Sequence, residues 1–110
     1  WGDGTDSRDL IYVEDFVDGL VCVMENCNEK HEVVNIGSNT SYSVNELLDV
    51  CMEVDNYKVP IEHIEGKPSM IPIRKISSQK MKDKYNWKAK TSLKDGVKKT
   101  IDWYKEYYEV

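Results

Sequence analysis

Ser43-Val44-Asn45-Glu46, followed by Leu47, Leu48 and Cys51, constrains this chain more than any other stretch. The Ser43 hydroxyl can accept from the Glu46 N–H while the Glu46 carboxylate reaches back to the Ser43 N–H, which starts a helix. Val44, Leu47, Leu48 and Cys51 then form one apolar stripe at i, i+3, i+4 and i+7, which other elements must cover. Three further segments carry helical signals. Phe16, Leu20, Val23 and Cys27 recur at helical spacing after Asp15, a residue that can cap a helix. Ser77 to Tyr85 reads as a short helix, with Asn86 as its left-handed end and Trp87 packing back after it. Ser92-Leu93-Lys94-Asp95 opens the last helix, in which Leu93, Val97, Ile101, Tyr104 and Tyr108 share a face. Gly96 inside that helix costs up to ~1 kcal/mol relative to Ala, so a close packing contact is expected there.

Short β-prone runs alternate with these helices: Leu10-Ile11-Tyr12-Val13, Val33-Val34-Asn35-Ile36 and Pro60 to Ile64. Trp1 to Asp9 reads as a turn-bearing loop, and Glu65 to Pro72, with Gly66, Pro68 and Pro72, as another. The alternation predicts a mixed α/β fold, and 110 residues suit one domain.

Charge is unevenly spread. Residues 1–73 carry 4 basic and 15 acidic side chains, and residues 74–110 carry 11 basic and 5 acidic, within a net charge of −5. The reading favoured is a Lys-rich helical surface packed beside an acidic segment. A nucleic-acid surface built from Lys75 to Lys105 is weaker, because neither aromatic nor Arg clusters accompany the lysines. Cys22, Cys27 and Cys51 form no CxxC pair, and they read as near-core side chains in a reducing, cytoplasmic compartment. His31 and His63 are isolated, so a metal site is not expected. No apolar run approaches the ~20 residues of a membrane helix, and no leader is expected. The first residue is Trp1, which suggests a piece of a longer protein.

Several catalytic signatures are missing from the sequence. The six glycines never approach the Gly-x-Gly-x-x-Gly spacing that lets a backbone cradle a pyrophosphate. There is no GxSxG elbow, Walker loop or HExxH, and no Tyr is followed four residues later by Lys.

The segment from Trp1 through Gly2, Gly4, Arg8-Asp9-Leu10-Ile11-Tyr12-Val13 to Glu14-Asp15 resembles a signature of the extended short-chain dehydrogenases/reductases that act on nucleotide sugars. The resemblance continues, in family order, at Val34-Asn35-Ile36-Gly37-Ser38, Ser43 to Leu47, Gly66-Lys67-Pro68, Lys80 to Lys88, Ser92 to Val97 and Trp103-Tyr104. It implies an α/β fold: the C-terminal substrate-binding portion of such an enzyme, with short strands, about four helices and no Rossmann core. Residues 1–110 would then be one substrate-binding domain.

For residues, the resemblance implies that Arg8 meets the diphosphate, for which a guanidinium offers a bidentate fork. The plainer alternative is a surface pair with Asp6 or Asp9. Lys67 lies where many relatives carry an Arg near the diphosphate. Trp1, Arg8 and Lys67 together resemble the GDP-L-fucose synthase branch. Trp1 would line or stack on the substrate, or serve as an anchor. Val44 would approach the nucleotide base, or simply belong to the apolar stripe. Leu10, Ser69-Met70-Ile71, Ser77 and Ser78 depart from the family pattern. The resemblance implies no catalytic residue in this segment. NAD or NADP would be held mainly by an N-terminal Rossmann domain, and the complete enzyme would be a homodimer. The alternative function is a non-catalytic nucleotide-sugar-binding module or remnant.

Overall fold

The computed structural model describes residues 1–67 and 71–109. The elements are β1 (Ser7–Asp9), α1 (Val13–Asn26), β2 (Ser41–Ser43), α2 (Val44–Asp55), β3 (Ile73–Arg74), α3 (Gln79–Tyr85) and α4 (Leu93–Tyr108). The three strands form one sheet in the order β2-β1-β3, with β2 antiparallel and β3 parallel to β1. The α2 helix packs on α4, and α1 on α3. This is the expected α/β mixture with four helices among the described residues.

Local helix chemistry holds as read. Ser43 and Glu46 exchange both capping-box bonds, at 3.1 Å and 2.7 Å. Ser92 accepts from the Asp95 N–H at 3.1 Å, and Asn86 ends α3 in the left-handed region at φ 50°. Gly96 faces Tyr12, whose Cβ would lie 3.3 Å from an added methyl, so the expected close contact is there.

The strands differ from expectation. Leu10-Ile11-Tyr12 is not a strand; pairing falls one step earlier, on the polar Ser7–Asp9, because β2 and β3 offer their backbones there. Pro60 to Ile64 stays outside the sheet; the Gly2 N–H bonds to the Ile64 carbonyl at 3.1 Å, and the Gly2 carbonyl lies 3.3 Å from the His63 Nδ1. Val33–Ile36 has the composition of a strand but makes no ladder, since no other described segment runs beside it. Asp15 does not cap α1. Tyr12 occupies the N-cap position, and the Asp15 carboxylate reaches α4's entry instead.

The core is small. Among the described residues the buried apolar side chains are Met81 and Trp87. Trp87 lies against α1 at Gly19, where a Cβ would stand 3.0 Å from the indole and 2.9 Å from Ile36, so only glycine admits this approach. The indole Nε1 donates to Asp18 at 2.9 Å. The molecule is flat, 51 × 36 × 19 Å, with a radius of gyration of 16.7 Å. A compact chain of this length has about 13 Å. Its accessible surface is 8575 Å², about 2,300 Å² more than a folded chain of 12.8 kDa usually shows. Much of that surface is apolar. Val13, Val17, Leu20, Val21 and Met24 stand exposed along α1, and Val33 is 83% exposed on the unpaired extended segment.

The uneven charge is resolved internally. Lys80 and Lys84 both hold Glu32, and Lys84 also holds Glu29. Lys94 meets Glu53 at 2.6 Å, Lys99 meets Glu14 at 3.5 Å, and Lys105 meets Asp55. Exposed pairs of this kind contribute roughly 0–1 kcal/mol each. The Glu32 pair differs because its carboxylate is almost covered, at 5% exposure. Hydrogen bonds from Lys80 and then Lys84 lower the Glu32 carboxyl from 4.5 to about 2. Since the folded value is depressed, the stabilisation is complete above pH 4.5 and fades as pH falls towards 2. Glu32→Gln should therefore lower the melting temperature at pH 7, with the gap to wild type closing on acidification. A series of melting curves between pH 7 and 2 on both proteins checks this.

Candidate functional site

Three polar strand residues, Ser7–Asp9, sit where a turn-bearing loop was expected, and the surrounding segments explain how they are held. The Asp3 carboxylate accepts from the Thr5 N–H at 3.0 Å and from its hydroxyl at 2.6 Å, which closes a turn before β1. Gly4 has φ 76°, and a Cβ there would collide with the Asn45 side chain at 2.0 Å. The amino end of α2 then grips this loop. The Val44 N–H donates to the Asp6 carbonyl at 3.1 Å and the Asn45 N–H to the Gly4 carbonyl at 3.0 Å. Two of the helix's otherwise unpaired N–H groups are thereby used to fix the chain that leads into Arg8.

Alternate strand residues face opposite sides. On one side Asp9 accepts from the Ser38 N–H at 2.8 Å and the Ser38 hydroxyl at 2.9 Å. Ser78, 6% exposed, staples the adjoining Gly37, accepting from its N–H at 2.8 Å and donating to its carbonyl at 2.9 Å. The other side carries Arg8. Its Nη1 donates to the Ile71 carbonyl at 2.7 Å and the Ser7 carbonyl at 2.8 Å. Its Nη2 lies 3.7 Å from Asp6, so the plainer surface pair is also present.

Register adds two residues that the sequence did not disclose. Tyr42 of β2 and Arg74 of β3 both stand opposite Arg8. Directly opposed residues share a face, so Tyr42, Arg8 and Arg74 form one row across the sheet. Arg74 is exposed, and its side chain makes no hydrogen bond or ion pair to another described residue. No sequence motif marks either residue; only strand pairing finds them. Of the sequence candidates, Trp1 and Lys67 come together, with the Lys67 ammonium 5.5 Å from the indole centroid. Arg8 bonds to Ile71, four residues after Lys67 in sequence. Val44 is exposed at the first turn of α2, next after β2. Pro68, Ser69 and Met70, parts of the Lys-Pro motif and of its departure from the family pattern, lie outside the described residues.

A groove of about 730 Å³ lies elsewhere, lined by Leu10, Tyr12, Leu47, Cys51, Val97 and Ile101 among others, and shares no residue with the row. Among the described residues, no group of three His, Cys, Asp or Glu is placed to hold a metal ion. No described helix is long and apolar enough to cross a membrane. The passage from β1 to α1 runs through Leu10, Ile11 and Tyr12. Side chains occupy the positions where a dinucleotide cradle needs glycine, so this passage does not fit a pyrophosphate-bearing cofactor.

A short three-stranded mixed sheet with four helices is the architecture found in extended short-chain dehydrogenases/reductases over about a third of their length. Residues 1–37 match the NAD dependent epimerase/dehydratase family. The chain is 32% identical over 109 residues to GDP-mannose 3,5-epimerase 1 of Oryza sativa subsp. japonica, covering 99% of this chain and 28% of that protein. It is 35% identical over 102 residues to the GDP-L-fucose synthase of Sinorhizobium fredii, covering 93% of this chain and 32% of that protein. Its fold matches the UDP-glucose 4-epimerase of Thermotoga maritima, solved with UDP-glucose, at a TM-score of 0.88 and 29% identity. That match covers 98% of this chain and 34% of the epimerase. The chain thus spans about a third of the length of the relatives it matches.

Proposed function

We propose that residues 1–110 are the nucleotide-sugar-binding domain of a longer NAD(P)-dependent nucleotide-sugar epimerase, dehydratase or reductase, similar to GDP-L-fucose synthase. The observation that carries this reading is the pairing of Arg8 with Arg74 on one sheet face, with the Arg8 guanidinium bonded to Ile71, four residues after Lys67 in sequence. Two guanidiniums and an ammonium are the chemistry a diphosphate requires. Trp1 beside Lys67, and Val44 just after β2, would meet the remainder of the substrate. The groups that move hydride and protons, and those that hold NAD or NADP, belong to the rest of the protein.

The principal partner in this reading is an N-terminal Rossmann domain. Support comes from the surplus surface of about 2,300 Å², an amount typical of an obligate interface. The exposed apolar face of α1 and the unpaired edge of Val33–Ile36 supply a helix face and a strand edge of the kind another sheet covers. Resemblance extends the reading to a homodimer joined outside this chain. Three free cysteines agree with a cytoplasmic protein. Nucleic acid is not a partner in this reading, because most of the Lys-rich surface is engaged with carboxylates.

The test is Arg8→Ala in the full-length protein. Loss of charged hydrogen bonds to the diphosphate should weaken substrate binding by about 1.5–3 kcal/mol, roughly ten- to more than a hundredfold in KM. Steady-state kinetics with a panel of nucleotide sugars measure it. Unchanged KM and kcat would sink the assignment of Arg8. A full-length protein that binds nucleotide sugars without turnover would instead favour a non-catalytic module.

A further inference from the structure

The row across the sheet is chemically asymmetric. The Arg8 guanidinium bonds to the Ile71 carbonyl, just before β3, and Arg74 lies on β3 itself. The Arg8 guanidinium and the Arg74 strand position therefore both lie on the β1–β3 side. The β2 side of the row holds Tyr42, partly exposed. Lys67, Lys84 and Lys99 each sit over an aromatic ring elsewhere, on Trp1, Tyr85 and Tyr12. Among the described residues no cation covers the Tyr42 ring, and none of the close aromatic pairs includes it. Adjacent strands lie about 4.8 Å apart, so the row spans roughly 10 Å from ring to Arg74. That is the length scale of a nucleoside joined to a diphosphate.

We infer that Tyr42 is a specificity-determining residue that receives the nucleoside ring of the ligand while Arg8 and Arg74 take its diphosphate. The inference rests on the nucleotide-sugar reading and deepens it by orienting the ligand: phosphates over β1 and β3, nucleoside over β2 and towards the start of α2. Base–aromatic contacts of this kind change affinity by about tenfold. The side chain is partly exposed and makes no hydrogen bond to another described residue, so its hydroxyl is not committed within the sheet.

The experiment uses the full-length protein and two competitive inhibitors, a nucleoside diphosphate and inorganic pyrophosphate. Tyr42→Ala should raise the inhibition constant of the nucleoside diphosphate about tenfold and leave that of pyrophosphate within twofold. Tyr42→Phe should restore the wild-type value, and Arg8→Ala should weaken both inhibitors. If Tyr42→Ala changes neither constant while Arg8→Ala raises both, the inference fails and the nucleotide-sugar reading stands. If Tyr42→Ala weakens both inhibitors equally, the ring supports the sheet and the inference fails. If Arg8→Ala changes neither constant, the nucleotide-sugar reading itself fails and the inference with it.

Discussion

Trp87→Ala is expected to destabilise the α1–α3 half of the molecule by about 3–5 kcal/mol, the range for removing a large buried aromatic. Trp87 is 5% exposed and, with Met81, makes up the buried apolar core of the described residues. Its indole fills the space left by Gly19 on α1 and touches the level of Ile36, so truncation opens a cavity between three segments at once. In so thin a molecule no second layer can collapse into that gap. Trp87→Phe keeps most of the apolar mass but loses the Nε1 bond to Asp18, and should cost about 1–2 kcal/mol before repacking. Native-state hydrogen exchange on the full-length protein separates these cases. Amides of α1 and α3 should lose protection in Trp87→Ala, while those of α2 and α4 change less. Uniform loss across all four helices would mean that the two halves unfold as one unit.

The second large effect is expected at Asp15. Its Oδ2 accepts from the Lys90 and Thr91 N–H groups at 2.9 Å and 2.7 Å, and its Oδ1 from the Thr91 hydroxyl at 2.9 Å. These bonds join the first turn of α1 to the residues just before the Ser92 cap of α4. Burial pushes the carboxyl up, but the Thr91 and Lys90 donors outweigh it and hold it below its usual value. Asp15→Ala leaves two backbone N–H groups without an acceptor and should destabilise by about 3 kcal/mol. Asp15→Asn retains one accepting oxygen and should lose about half as much. Because the folded value is depressed, the part of the wild-type advantage that depends on the ionised carboxylate is full above the ordinary carboxylate range and shrinks as pH falls below it towards the lower folded value. Urea unfolding at pH 7 and pH 3 measures both the size and the pH dependence. An equal deficit at the two pH values would count against an ionised Asp15 as the clasp.

The sequence disclosed what is decided within one helical turn. Ser43 with Glu46, Ser92 with Asp95, and Asn86 after α3 are recognisable because each partner lies within a few residues. Strands of two or three residues have no such signature. Ser7–Asp9 is polar and becomes a strand only because β2 and β3 flank it, whereas Val33–Ile36 has strand composition but no described strand to pair with. Asp15 looked like a local cap, and its real partners at Lys90 and Thr91 are distant in sequence. The same division runs through the site. Arg8 and Lys67 were visible through family motifs, whereas Arg74 and Tyr42 emerge only from register.

The order of the strands also sets a timetable. β1 lies in the middle of the sheet, yet it is the first element in the chain and β3 closes its open side only at Arg74. During synthesis Arg8 emerges before Tyr42, and Tyr42 before Ile71 and Arg74, so Arg8 is made before its surroundings exist. Pairing across such sequence separation is slow compared with helix formation. The helices α1 and α2 can form while the sheet is still incomplete, and the proposed ligand-binding face is among the last parts of the chain to be assembled.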